Sequence, residues 1–267
     1  MSGRLAGKRC LIVGGTTGLG YAAAARFLEE GARVVIAGRS PDKGAAAVAA
    51  LSRHGLVQFA VGDATQAEQV ERLYAEAMAF LGGLDVLYHV AGISGRRHGD
   101  GPLHECTEAG WQATLAANLT STFLTNRAAV RHFLSRGQPG AILNMASVLA
   151  FSPSPRYFDT IAYAATKGGI LAMSRLAAAR YAPDGICINV IAPGLIETPM
   201  ATRAVQDAAI RDFLRTKQPL RGGPGQPDDC SDAAVFLCSE EARFVTGVVL
   251  PVDGGWSVSE GQYGNDE

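Results

Sequence analysis

The feature that most restricts what this chain can fold into is an alternation of two kinds of segment. Short runs of apolar and β-branched residues give way, one after another, to longer Ala-rich runs of helical character. Strand-like runs are predicted at 10–13, 33–37, 57–61, 84–90, 141–145, 186–191 and 248–252. Helical runs are predicted between them at 21–30, 43–54, 66–81, 107–136 and 161–181, with a further one at 229–239. Strands joined through helices pair in parallel by right-handed crossovers, with helices on both faces of the sheet. The expected fold is therefore α/β: one doubly wound parallel sheet of the Rossmann type, of about seven strands. No linker, low-complexity tract or longer repeat divides the series, so a single domain over 1–267 is expected. Residues 198–220 read as a mobile lid carrying one or two helices over 198–217.

Composition bounds the partners. Hydrophobic residues make up 48% and charged residues 18%, enough to bury a sizeable core. Twenty-four basic residues against 25 acidic ones give a formal charge of -1, which carries no signature of polyanion binding, and no nucleic acid is expected as a partner. No apolar run approaches the length of about 20 residues that a membrane-spanning helix needs. The N-terminus runs almost directly into the strand at 10–13, leaving no room for a signal peptide. Cys10, Cys106, Cys187, Cys230 and Cys238 are scattered, without a CxxC pair. They read as buried thiols in a reducing compartment, neither disulfides nor metal ligands, and the expected setting is cytoplasmic.

Two stretches carry chemistry. Between the first strand and the first helix stands Gly14-Gly15-Thr16-Thr17-Gly18-Leu19-Gly20. Glycines there let the backbone approach a pyrophosphate, which rests on the positive end of the following helix. The spacing is G-x-x-x-G-x-G, and the absence of a Gly-Lys-Ser/Thr run excludes a P-loop. Turns collect glycine in any protein; the position inside a β-turn-α unit is what favours a dinucleotide. The second stretch is Tyr163-Ala-Ala-Thr-Lys167, whose Tyr and Lys share one helix face at i and i+4. A phenol titrates at about 10 when unperturbed. A nearby ammonium favours its phenolate and would fit it for acid–base work on an alcohol or carbonyl oxygen. Taken alone, such a pair is equally an ordinary solvated helix face.

Gly14, Gly18 and Gly20, Asn118, Ser147 and Tyr163-x-x-x-Lys167 occur in the order of the signature set of the short-chain dehydrogenases/reductases. Asp63, Ala91-Gly92, Pro193-Gly194 and Asp253-Gly254-Gly255 extend this resemblance over nearly the whole chain. It implies an oxidoreductase that moves a hydride between a nicotinamide cofactor and a ketone or secondary alcohol. Tyr163 would be the general acid or base, and Ser147 would hydrogen-bond the substrate oxygen. Lys167 would hold the nicotinamide ribose and keep the Tyr163 pKa low, while Asn118 would position a water linking Lys167 to solvent. The resemblance also places Gly14, Thr16, Thr17, Gly18, Leu19, Gly20, Gly38, Arg39, Asp63, Ala64, Ala91, Gly92, Tyr163, Lys167, Pro193, Gly194, Ile196 and Thr198 around the cofactor. Asp63 is also an ordinary turn or cap residue. Members commonly form tetramers across their two long helices, so a homotetramer is expected, with the last strand and Trp256 at the second interface.

This chain departs from the family pattern in three places. His89-Val90-Ala91-Gly92 replaces the usual Asn-Asn-Ala-Gly, and His89 is expected to be a satisfied structural histidine. The interval from Ser147 to Tyr163 is longer than is typical; the excess lies in 151–158, expected to bulge at the pocket mouth and to hold Ser152, Ser154 and Tyr157 as decoys. Gly38-Arg39 stands where NAD-preferring members carry an acidic residue, which favours NADP(H) over NAD(H). The loop 94–106, with Arg96, Arg97, His98, Asp100 and His104, is expected to be solvated, although its charges would also suit an anionic substrate or carrier. Two other readings use the same scaffold: a sugar-nucleotide epimerase or dehydratase, and a non-catalytic dinucleotide sensor.

Overall fold

A computed structural model describes residues 3–261. The central strands are buried on both sides, whereas the edge strands β3 (Val57–Val61) and β7 (Val249–Val252) are partly exposed. In chain order the elements are β1 (Arg9–Val13), α1 (Gly18–Glu29), β2 (Arg33–Gly38), α2 (Pro41–Leu51), β3 (Val57–Val61), α3 (Ala67–Leu81) and β4 (Val86–His89). They continue with α4 (Glu108–Leu115), α5 (Ser121–Arg136), β5 (Gly140–Met145), α6 (Pro155–Phe158), α7 (Ile161–Tyr181) and β6 (Ile186–Pro193). The chain closes with α8 (Thr202–Gln206), α9 (Ala208–Lys217), α10 (Pro227–Cys238) and β7 (Val249–Val252). The seven strands form one parallel sheet in the order β3-β2-β1-β4-β5-β6-β7. The order reverses beside β1, and that switch point is where an open α/β sheet leaves its binding crevice.

Alternate residues of one strand enter opposite layers of core. From β1, Cys10 and Ile12 join Phe27 and Leu28 of α1, Leu51 of α2 and Val235 of α10. Leu11 and Val13 point the other way, to Leu73 and Tyr74 of α3, Phe133 of α5 and Ala178 of α7. Burying such a side chain is worth about 1.5–3 kcal/mol, and with helices on both faces the central strands are mainly apolar instead of alternating, with His89, Asn144 and Asn189 as their buried polar residues.

Helix starts differ from expectation where capping chemistry decides. Ser40 caps α2, accepting from the Lys43 amide at 3.4 Å, so Pro41 is the first helical residue. Gln226 and Asp229 form a reciprocal capping box, which starts α10 at Pro227 and makes Asp229 its third residue. The single helix expected over 107–136 is instead two helices joined by one π-turn at Ala116–Thr120. The Asn118 side chain in that turn reaches across to Ile93 in the loop after β4, and such π-turns occur mostly at functional sites. Residues 151–158 contain the short helix α6.

The lid is more firmly tied than a mobile excursion would be. Thr216 and Lys217 at the end of α9 donate to the carbonyls of Gly261 and Ser259, both at 2.6 Å. Trp256 is only 1% exposed, packed edge-on against Phe158 and Phe213 with ring centroids 5.6 Å away in each case, and its indole N–H donates to Ser152 O at 3.1 Å. The expectation that Trp256 sits at a subunit interface is therefore corrected: the subunit's own interior covers it. Among the described residues all five cysteines are free thiols, with Cys106 and Cys187 only half-buried, and no helix is long and apolar enough to cross a membrane.

Candidate active site

The site lies past the C-terminal ends of β1, β4, β5 and β6. At its floor the glycine loop makes close approaches that a side chain would block. A Cβ on Gly14 would stand 2.7 Å from the Ala91 nitrogen, and one on Gly20 would stand 2.2 Å from Gly14 O. Gly18 takes a left-handed φ of 57° and faces Thr198. The first turn of α1 has no side-chain cap and no acidic residue, so its N–H groups remain available to an anion. Gly14, Thr16, Thr17, Gly18, Leu19, Gly20, Ala91 and Thr198 thus surround a helix N-terminus suited to a pyrophosphate. This uncapped, glycine-lined cradle fits a dinucleotide.

Around the adenosine end, Arg39 is exposed and forms no ion pair with Asp42 among the described residues. A Cβ at Gly38 would lie 3.2 Å from Thr16 Cγ2, so the position tolerates a side chain only if Thr16 gives way. Asp63 accepts the Thr65 amide at 2.9 Å and closes the turn leading into α3, with Ala64 buried beside it. Toward the other end, Pro193 closes β6, and Gly194 is pressed against Asp253 and Gln218. Ile196 is 6% exposed with its side chain against Gly225, which leaves only its backbone free to meet a ligand.

Four groups converge from three places: the end of β5, α7 and the π-turn. Ser147 follows β5 and accepts the Leu149 amide at 3.2 Å, leaving its hydroxyl proton free to donate. Lys167, 4% exposed, donates from Nζ to Met145 O at 2.8 Å and stands 5.6 Å from the centre of the Tyr163 ring. Asn118 is fully buried; its carboxamide accepts from the Ile93 amide at 2.8 Å and donates to Ile93 O and Thr166 Oγ1, both at 3.1 Å. Gly92 has to be glycine for this, since a Cβ there would sit 2.8 Å from Asn118 Oδ1.

Electrostatics revises one expectation. Burial pushes the Tyr163 phenol above its ordinary value, and the Ser147 hydroxyl, not Lys167, is the group that opposes the rise. The ammonium is itself desolvated, which pulls Lys167 down to about 8. His89, 1% exposed, is held between Thr125 Oγ1 at 2.8 Å and Ser121 Oγ at 3.3 Å. Burial, with Lys167 adding to it, lowers its pKa to about 3, so the ring is neutral and ties β4 to α5 instead of to a neighbouring strand.

The residue after Ser147 enters an apolar cluster. Val148, Ala204, Ile210, Leu214 and Trp256 form one buried cluster, with Tyr157, Phe158, Leu195 and Phe213 packed on it. Of the decoys, Ser152 lends its carbonyl to Trp256, while Tyr157 packs at a tilt against Phe213 with ring centroids 5.0 Å apart. Two residues had no recognisable sequence signal. Gln218, 2% exposed, clips the loop after β6 by accepting the Leu195 amide at 2.6 Å and donating to Leu195 O and Gly223 O. Asp100, expected in solvent, is only 6% exposed and touches α7. No group of three His, Cys, Asp or Glu that could hold a metal occurs among the described residues.

Comparison with known proteins gives concordant results. A family described as enoyl-(acyl carrier protein) reductase matches residues 13–257. A 2,5-dichloro-2,5-cyclohexadiene-1,4-diol dehydrogenase from Sphingobium indicum is 38% identical over 259 residues, covering 97% of this chain and 99% of its own. A 3beta-hydroxysteroid dehydrogenase from Eggerthella lenta is 38% identical over 263 residues, covering 97% and 98%. The crystal structure of a 3-ketoacyl-(acyl-carrier-protein) reductase from Brucella melitensis, complexed with NADH, superposes with a TM-score of 0.85 at 30% identity, covering 95% and 100%.

Proposed function

This chain belongs to the short-chain dehydrogenase/reductase family and is a nicotinamide-dependent oxidoreductase acting on an alcohol or ketone; within that activity, we propose that it interconverts a ring-bearing secondary alcohol and its ketone, using NADP(H). The carrying observation is the convergence of the buried Ser147 and Lys167 with the half-buried Tyr163, next to an apolar cluster rich in aromatic side chains. When bound, the nicotinamide supplies or accepts the hydride. Tyr163 gives its phenolic proton to the carbonyl oxygen in reduction and takes it back in oxidation. Ser147 donates to the same oxygen, stabilising the negative charge that grows on it. Lys167, anchored on Met145 O, keeps two further N–H donors for ribose hydroxyls and brings positive charge beside the phenol. Asn118 fixes the backbone of Ile93 and the start of the substrate-facing loop, and Thr166 links it to Tyr163 O.

The ring preference rests on Tyr157, Phe158 and Phe213, half-buried apolar surfaces backed by the buried Trp256 and packed on the cluster that holds Val148, which follows Ser147 in the chain. Relatives named for a cyclohexadienediol and a hydroxysteroid accord with it. The NADP(H) preference rests on Arg39, exposed and unpaired with Asp42 beside Gly38, where no carboxylate can repel a 2′-phosphate. The reading favours a homotetramer formed across α4–α5 and α7, which expose Trp111, Phe123, Leu134 and Leu176.

The test is nucleotide turnover with cyclohexanone, a decalone, a 3-ketosteroid, a linear ketone and an aldose, for wild type and Tyr163→Phe. We expect turnover of cyclic ketones by wild type and a loss of about 10²–10⁴-fold in the Phe variant with nucleotide binding intact. Preference for the aldose would refute the ring reading, and an active Phe variant the role of Tyr163.

A further inference from the structure

The N-terminus of α7 is capped from a distant part of the chain. Thr160, which precedes the helix, is a residue type well suited to capping, yet its side chain makes no cap bond. Two consecutive residues of the loop after β4 satisfy the open N–H groups instead. Ile161 N donates to Gly101 O at 3.0 Å, Ala162 N to Asp100 Oδ1 at 3.0 Å, and Tyr163 N to Asp100 Oδ2 at 2.9 Å. Both carboxylate oxygens are thus spent on the first turn of the helix, and one grips the backbone of Tyr163 itself.

Asp100 has little freedom to move. Its amide donates to Gly95 O at 3.2 Å, and a Cβ on Gly95 would come within 2.7 Å of Asp100 Oδ2 and 2.3 Å of Thr114 Oγ1. On the other side a Cβ on Gly110 would stand 2.7 Å from the Asp100 nitrogen. Glycines therefore let the loop dock tightly between α4 and α7. The other reacting groups have anchors of their own: Lys167 is tied to Met145 O, and Ser147 follows directly on β5. Tyr163 is the one whose place depends on how the first turn of α7 is set.

We infer that Asp100 is a positioning residue, holding the first turn of α7 so that the Tyr163 phenol meets the substrate oxygen alongside Ser147. This rests on the reading of Tyr163 as the acid and base. A carboxylate at a helix N-terminus makes charge-assisted bonds with the helix dipole behind them, stiffer than a hydroxyl cap would provide. Displacing a reacting group by about 1 Å costs up to about 10²-fold in rate. Asp100→Asn keeps the shape but turns an NH₂ toward one of the two amides; Asp100→Ser keeps a single acceptor on a shorter arm.

The experiment measures kcat and KM with the best ketone of the panel, nucleotide dissociation constant by nicotinamide fluorescence, and Tm, for both variants and for Thr107→Ala. Thr107 caps α4 from the same loop, accepting the Gly110 amide at 2.9 Å, and makes no hydrogen bond to α7 among the described residues. The expected result is a fall in kcat of about ten- to a hundredfold for both Asp100 variants, with nucleotide affinity within about twofold. Thr107→Ala should lower Tm with kcat nearly unchanged. An Asp100→Asn enzyme with unchanged kcat overturns the inference whatever its Tm; so does a failure of both Asp100 variants to bind nucleotide, which would make Asp100 a residue of the fold. Tyr163→Phe, run alongside, separates the two readings. An active Phe variant removes the acid–base assignment itself, whereas an inactive one beside a fully active Asp100→Asn removes only the inference.

Discussion

Lys167 is a buried ammonium whose pKa is lowered by desolvation, and its stability effect is measurable as a slope in pH. Its Nζ donates to Met145 O, and desolvation takes its pKa from 10.5 to about 8. Below pH 8 both folded and unfolded chains hold the proton, and the fold bears the whole cost of keeping the charge from water. The gap between 10.5 and about 8 corresponds to about 3 kcal/mol. Between about pH 8 and 10.5 the unfolded chain binds more protons than the folded one, so stability rises with pH; above that the effect is gone. Integrating from pH 7 to 9 gives a gain of about 1 kcal/mol, or about 2–4 °C in Tm for a chain of this size. The assay is the Tm of wild type minus that of Lys167→Met, without added nucleotide, at pH 7, 8 and 9. Subtraction cancels the other titrating groups, and the difference should climb in favour of wild type. A flat or falling difference would refute the desolvated ammonium. The offset at pH 7 decides nothing, because methionine leaves the Met145 carbonyl without its donor, a cost of about 1–3 kcal/mol in the opposite direction.

Three further outcomes are expected. The ratio of kcat/KM for NADPH over NADH should lie at about ten to a hundred, and Gly38→Asp with Arg39→Ala should reverse it; a wild-type preference for NADH would refute the role of Arg39. Trp256→Ala should cost about 3–5 kcal/mol in urea denaturation and raise KM for cyclic ketones, whereas Trp256→Phe, losing the bond to Ser152 O, should cost about 1–2 kcal/mol; equal effects of the two would remove the packing argument. Light scattering at micromolar concentration should give a tetramer that Leu176→Asp, at a position 75% exposed on α7, weakens, and a monomeric wild type would refute the assembly.

The sheet was legible because its signal is redundant. Each apolar run lies between helical runs of the right length, and β3 and α7 fall at the expected residues. The reacting residues were legible through order and spacing, which survive whatever the intervening loops do. What escaped notice depends on contacts between distant parts of the chain. Asp100 looks like any loop aspartate until α7 is placed against it, and Gln218 looks like the polar end of an amphipathic helix. Trp256 seemed available to a partner because nothing in its own neighbourhood shows that Phe158 and Phe213 cover it. The π-turn at Asn118 shifts helical phase by one residue, too little for apolar periodicity to register.

The strand order carries a consequence for how the protein is made. No strand pairs through a hairpin, and β1 cannot gain its second neighbour until β4 exists. The cradle for the nucleotide is assembled from residues as far apart as Gly14 and Thr198, so no growing chain contains it until Thr198 has been added. Parallel pairings of this range form slowly and leave open edges while they wait. A nucleotide that recognises only the finished cradle acts as a lock on the native state, adding about 2.7 kcal/mol at a hundred times its dissociation constant. Cellular abundance of the folded enzyme would then follow the supply of its own redox carrier.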